Sequence, residues 1–102
     1  MEIITEKNFK EKIKTGVVVV DFFATWCGPC RMMSPVLDEV KDELGDKVQI
    51  YKVDVDEDET LARSFGILSI PTIIIFKDGK EVDKHVGLWM RDDLLDAIQK
   101  QL

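Results

Sequence analysis

The sequence predicts an α/β fold: a central five-stranded mixed sheet flanked by four helices, in one domain over residues 1–102. Three observations carry this. Short β-branched apolar runs alternate with stretches whose apolar residues recur every three to four positions. The run Val17-Val18-Val19-Val20-Asp21-Phe22-Phe23 is apolar on both alternating faces, as a strand covered by helices on two sides requires. Two strand-like segments also flank Asp78-Gly79, a pair suited to the two positive-φ positions of a type I′ hairpin turn. A chain of 102 residues suits one domain, and at this size folding buries roughly 65% of the unfolded chain's surface.

The elements follow in order. Ile3 and Ile4 suggest a short first strand. Thr5 is expected to cap a short helix with Phe9 and Ile13 on one face, and Gly16 to end it. After the Val17–Phe23 strand, a helix is expected from about Cys30 to Leu44, with Met33, Val36, Leu37, Val40 and Leu44 on one stripe, Pro35 bending it and Gly45 stopping it. Val48–Val53 reads as a strand, and Glu59–Phe65 as a short helix closed by Gly66. The hairpin takes Thr72–Lys77 and Lys80–Val86. A last helix runs from about Met90 to Leu102, with Met90, Leu94, Ile98 and Leu102 on its buried face. The early strands imply parallel crossovers and the last two an antiparallel edge.

Composition narrows the function. Hydrophobic residues are 45% of the chain, which argues against disorder. Lys and Arg number 14 against 20 Asp and Glu, a net charge of −6, which argues against nucleic acid as a partner. The longest apolar runs, Val17–Val20 and Ile73–Phe76, are too short for a signal peptide or a membrane helix, so a soluble, cytoplasmic protein is expected. Asp54, Asp56 and Asp58 imitate the start of a calcium loop. Glu59 and Phe65 stand where that loop needs Gly and Glu, so the stretch reads as a solvated turn entering a helix.

Two cysteines are too few for a disulfide-built scaffold, but they are close together in Trp26-Cys27-Gly28-Pro29-Cys30, between a strand and a helix. Thiols three apart at a helix start can close a small disulfide ring. Cys27, at or just before the helix N-terminus, meets unpaired N–H groups and the positive end of the dipole, which favour its thiolate. Cys30 lies a turn further in and should be more covered. The expected pair is therefore asymmetric, with Cys27 attacking and Cys30 resolving. Pro29 lacks an N–H, which leaves the Cys30 N–H as the donor to the Cys27 sulfur. Zinc is the weaker reading, because a structural site takes four ligands and this chain has two Cys and one distant His85. A purely structural disulfide is weaker still, since so short a ring constrains little of the unfolded chain.

The segment Asp21–Cys30 resembles the active-site segment of the thioredoxin family. The likeness extends through Pro35, Lys52 and Asp54, Gly66-Ile67-Leu68-Ser69-Ile70-Pro71-Thr72, Asp78-Gly79 and Val86-Gly87, nearly the whole chain. It implies the thioredoxin fold and a general protein-disulfide reductase working through a Cys27–Cys30 redox pair. It implies no bound cofactor, and the glycine fingerprint of a dinucleotide site is absent. A thioredoxin reductase would supply the electrons, disulfide-bearing proteins would be the clients, and a monomer is expected.

The likeness also gives roles to residues that have blander readings. Asp21 is either a strand-end acid reaching solvent or a buried carboxyl with a raised pKa; the resemblance implies the second, assisting proton transfer at Cys30. Lys52 is an ordinary edge lysine or, by resemblance, a moderator of the charge on Asp21. Pro71 is a strand-entry proline or, by resemblance, the second residue of a cis Ile70-Pro71 bond beside the disulfide, where a client chain pairs as an added strand. Trp26, Gly28, Pro29, Ile70, Pro71, Gly87 and Leu88 would form a shallow apolar docking face. The chain departs from the family pattern at Phe23, where many members carry a second Trp. It departs again at Trp89-Met90, where a Ser or Thr cap is common; Asp92 and Asp93 are expected to compensate through the dipole. Leu88 and Trp89 are expected to enlarge the apolar rim. A disulfide oxidase or isomerase would share this chemistry, and a binding module or thiol metal carrier would share the face or the cysteines; Gly28-Pro29 speaks against the oxidase.

Overall fold

The computed structural model describes all 102 residues. The chain runs β1 (Glu2–Ile3), α1 (Phe9–Ile13), β2 (Val17–Phe23), α2 (Gly28–Leu44), a 3-10 turn (Gly45–Lys47), β3 (Gln49–Asp54), α3 (Glu59–Ser64), β4 (Thr72–Lys77), β5 (Lys80–Val86) and α4 (Arg91–Gln99). The sheet order is β1-β3-β2-β4-β5. β1 and β2 lie parallel to β3, whereas β4 is antiparallel to β2 and to β5. The five strands and four helices match the expected mixed α/β sheet.

All seven residues of β2 are buried, because the strand is central and covered on both faces. Alternation sends Val17 and Val19 to a cluster with Met33, Leu37 and Val40 of α2 and Leu94 and Ile98 of α4. Val18, Val20 and Phe22 point the other way, to Phe9 and Ile13 of α1 and Leu61 of α3. On that second face Phe65 packs against Phe9, Phe22 and Phe76.

Local chemistry sets the element ends. Gly45, at φ 57°, stops α2, and the Lys41 ammonium donates to the carbonyls of Gly45 and Val48, which have no partner in the helix. Asp78 and Gly79 take φ of 49° and 86°, as a type I′ turn requires. Gly16 N donates to Asp78 Oδ1 at 2.7 Å and Asp78 N donates to the Gly16 carbonyl at 2.9 Å, tying the hairpin tip to the entrance of β2.

Several boundaries and contacts differ from expectation. Thr5 does not cap α1. The chain turns first, with Thr5 N donating to Asn8 Oδ1, and Asn8 holds the N-cap position. α2 starts two residues early, because Pro29 fits a first-turn position whose N–H would be unpaired anyway. α4 is shorter, and Met90 and Leu102 are exposed; its buried residues are Leu94, Leu95, Ala97 and Ile98. Asp92 and Asp93 do stand in its first turn, where Met90 supplies no side-chain cap. β5 carries a bulge: Phe76 pairs with Glu81 and Ile75 with Asp83, leaving Val82 over. Trp89 is not part of an apolar rim. It is buried in the α2/α4 cluster, stacks on His85 at 4.7 Å and donates its backbone N–H toward Met33 Sδ.

Candidate active site

The site forms where β2 ends and α2 begins. Cys27 is the N-cap of α2, in extended conformation, and its sulfur accepts the Cys30 N–H at 3.2 Å. The two cysteines are joined by a disulfide, with Cα atoms 5.2 Å apart. Both are buried, in a small cluster with Phe23 and Ala24 against Val55 and Ile70. The expected difference in cover is therefore slight in the disulfide form. The asymmetry lies in position: one sulfur caps the helix and the other belongs to its first turn.

Asp21 is completely buried, and neither of its carboxyl oxygens has a hydrogen-bond partner. Burial pushes its pKa up from 3.8 to about 7, and the Lys52 ammonium holds it lower than burial alone would. The strand-end reading of Asp21 is thereby excluded. Lys52 is its register partner on β3. The ammonium sits 4.2 Å from the centre of the Phe23 ring and donates to Ser34 Oγ at 3.3 Å. An opening of about 190 Å³ is lined by Cys30, Ser34 and Lys52, among others.

The Ile70-Pro71 bond is cis. Gly87 N donates to the Pro71 carbonyl at 2.8 Å, which draws the β5–α4 connection against this loop. Gly87 has φ of 93°, and a Cβ there would meet only open space. Thr72 Oγ1 donates to the Ser69 carbonyl, closing the turn before β4. Trp26 is 67% exposed, and its indole N–H donates to Asp56 Oδ2 at 2.8 Å. Leu88 is half-buried and packs toward the core. The structure thus groups the cysteines with Ile70, places Trp26 in a groove with Ile70, sets Gly28 and Pro29 in the first turn of α2 between the cysteines, and bonds Gly87 to Pro71.

Residue-by-residue reading misses three contributors. Leu68, 98% exposed, forms an open groove with Trp26, Val55, Ile67, Ser69 and Ile70. Periodicity is silent in a turn, so only apolar content between Gly66 and Pro71 could flag it. Asp56 orients Trp26 from thirty residues away, which no local pattern encodes. Ser34 stands four after Cys30 on α2, and that helical spacing is a usable signal.

The disulfide that caps α2, at the end of the strand carrying the buried Asp21 carboxyl, is a centre suited to thiol–disulfide exchange. The model of the Thioredoxin family matches residues 1–100. A thioredoxin of Staphylococcus saprophyticus is 48% identical over 99 residues, 97% of this chain and 95% of that protein. A Staphylococcus aureus thioredoxin is 46% identical over the same shares. Among solved structures, a point-mutant thioredoxin of Halobacterium salinarum superposes with a TM-score of 0.89 at 33% identity, covering 99% of this chain and 88% of that one. Malassezia sympodialis thioredoxin (Mala s 13) gives 0.88 at 43% identity, over 98% and 91%. The chain belongs to the thioredoxin family, whose chemistry is dithiol–disulfide exchange.

Proposed function

We propose that the chain is a general reductant of protein disulfides, with Cys27 as nucleophile, Cys30 as resolving thiol and Asp21 as proton acceptor. The observation that carries the reading is the Cys30 N–H on the Cys27 sulfur at the helix N-terminus, a donor and dipole arrangement that stabilises a Cys27 thiolate. Cys27 thiolate attacks one sulfur of a client disulfide. That S–S bond breaks, a mixed disulfide forms, and the first client thiolate leaves. Cys30 then loses its proton toward Asp21 and its thiolate attacks Cys27 Sγ. The mixed disulfide breaks, the Cys27–Cys30 bond forms and the second client thiolate departs. The client gains two electrons and, from solvent, two protons. A thioredoxin reductase returns the pair to the dithiol.

Clients dock across Trp26, Gly28, Pro29, Ile70, Pro71, Gly87 and Leu88, with the backbone before Pro71 pairing as an added strand. The exposed Trp26 and the Gly87–Pro71 hydrogen bond support this face. One sheet shared by both core clusters supports a single domain over residues 1–102. No helix is long and apolar enough to cross a membrane, and no group of three or more His, Cys, Asp or Glu is placed to hold a metal. The reading retains the cytoplasmic setting and the monomer expected from the sequence. Cys30→Ser tests it: the variant should accumulate Cys27 mixed disulfides with client proteins, visible as thiol-reversible adducts. Adducts on Cys30 in Cys27→Ser but none on Cys27 would reverse the assigned roles.

A further inference from the structure

We propose that Ser34 is a positioning residue of the resolving half-reaction: its hydroxyl holds the Lys52 ammonium in the opening beside Cys30, where that charge acts on Asp21. The inference rests on Asp21 being the proton acceptor. Ser34 follows Cys30 by four residues on α2, so both present toward the same side. Its Oγ accepts from Lys52 Nζ at 3.3 Å, and the same ammonium lies over the Phe23 ring at 4.2 Å. Lys52 reaches this place from β3, directly beside Asp21 in the register of the sheet.

A lysine stem has four rotatable bonds, so one location for its charge requires a partner. Here the alternatives are visible. Ser34 and Lys52 line two openings. The first, of about 190 Å³, also contains Cys30, Arg31 and Thr25. The second, of about 120 Å³, contains Asp38, Leu37 and Met1. The charged groups around the ammonium are therefore Arg31 and Asp38 from α2, Met1 at the amino terminus, and Asp21 across the strand pair. Arg31 brings a like charge to the lining of the first opening, where its guanidinium donates to the Thr25 carbonyl. Asp38 brings an opposite charge to the lining of the second. The Ser34 hydroxyl and the Phe23 ring hold the ammonium against both charges. Without the hydroxyl the ammonium moves toward Asp38 and away from Asp21, whose ionised form then loses support.

The Asp21 carboxyl can be titrated directly by 13C NMR in the oxidised protein. Ser34→Ala should raise its midpoint by about half a pH unit, the effect of moving one charge a few ångströms at intermediate dielectric. Ser34→Thr, which keeps the hydroxyl, should stay with the unsubstituted protein. On a Lys52→Met background Ser34→Ala should add nothing. An unmoved midpoint in Ser34→Ala overturns the proposal, and so does an equal shift without Lys52. The pH profile of mixed-disulfide resolution should follow the carboxyl. If the carboxyl moves as expected and that profile does not, the Ser34–Lys52 tether stands and the role of Asp21 as proton acceptor falls.

Discussion

The proton-acceptor role proposed for Asp21 sets function against stability at a single residue. The unfolded chain ionises this carboxyl near 3.8, whereas the folded protein retains the proton to about 7. Between those values the native state binds the extra proton, so stability falls as pH rises. Below about 4 both states are protonated and the group contributes nothing. Above 7 the full penalty applies, at most about 4 kcal/mol for a gap of this size. Asp21→Asn should therefore match the unsubstituted protein near pH 4 and exceed it by a few kcal/mol at pH 8, read by urea denaturation at both values. The same variant should slow resolution of the mixed disulfide near neutral pH and flatten its dependence on pH. A stability advantage that does not grow with pH would show that the carboxyl is not buried in its charged form.

At the scale of elements, the two tryptophans separate packing from the proposed docking face. Trp89, in the connection between β5 and α4, is enclosed by the α2/α4 core and the His85 ring. Trp89→Ala should cost about 3–5 kcal/mol, the range for removing a large aromatic side chain from a core. Trp26, at the end of the β2–α2 loop, is mostly exposed. Trp26→Ala should cost about 1 kcal/mol or less in stability while lowering the rate with protein clients several-fold. Chemical denaturation and a protein-disulfide reduction assay distinguish the two.

The same elements show what sequence can convey. Strand alternation and helical stripes identify β2, α2 and the β4–β5 hairpin because those patterns follow from burial of one or two faces. They misplace Trp89 because it lies between periodic segments, where nothing in the order of residues says which way a side chain turns. The over-long α4 follows from the same limit: Met90 and Leu102 continue the stripe, but the core ends before they reach it. Val82 breaks a period that otherwise holds, and the bulge depends on pairing with β4 rather than on its own neighbours. At the site, Cys27 and Cys30 are legible from spacing alone. Asp21 and Lys52 need the resemblance to choose between two readings. Asp56 and Leu68 depend on contacts that exist only once the chain has folded.

For the whole molecule, the disulfide is a minor contributor to the fold. The two large core clusters lie on opposite faces of one sheet and contain no cysteine; Cys27 and Cys30 belong to a third cluster of only four residues. A ring closed between residues three apart restricts the unfolded chain by only about 2 kcal/mol in the chain-entropy model. A domain of this size has roughly 5–15 kcal/mol in hand. The reduced protein should therefore remain folded, with the oxidised form about 2 kcal/mol more stable in paired denaturation curves. Collapse of the fold on reduction would show that the bond is structural. A redox centre that opens and closes in each turnover requires this independence.

The bonds between Gly16 and Asp78 bear on how the molecule can be re-engineered. They join the hairpin tip to a residue 62 positions earlier, at the end of β2 remote from the cysteines. An exposed two-residue turn ordinarily invites an inserted epitope or a circular-permutation break. Here a cut between Asp78 and Gly79 would unfasten a clasp that holds the far rim of the sheet to its central strand. New termini placed at that turn should lower the melting temperature. The redox centre, built at the opposite rim, should keep its reaction with a small disulfide for as long as the sheet holds.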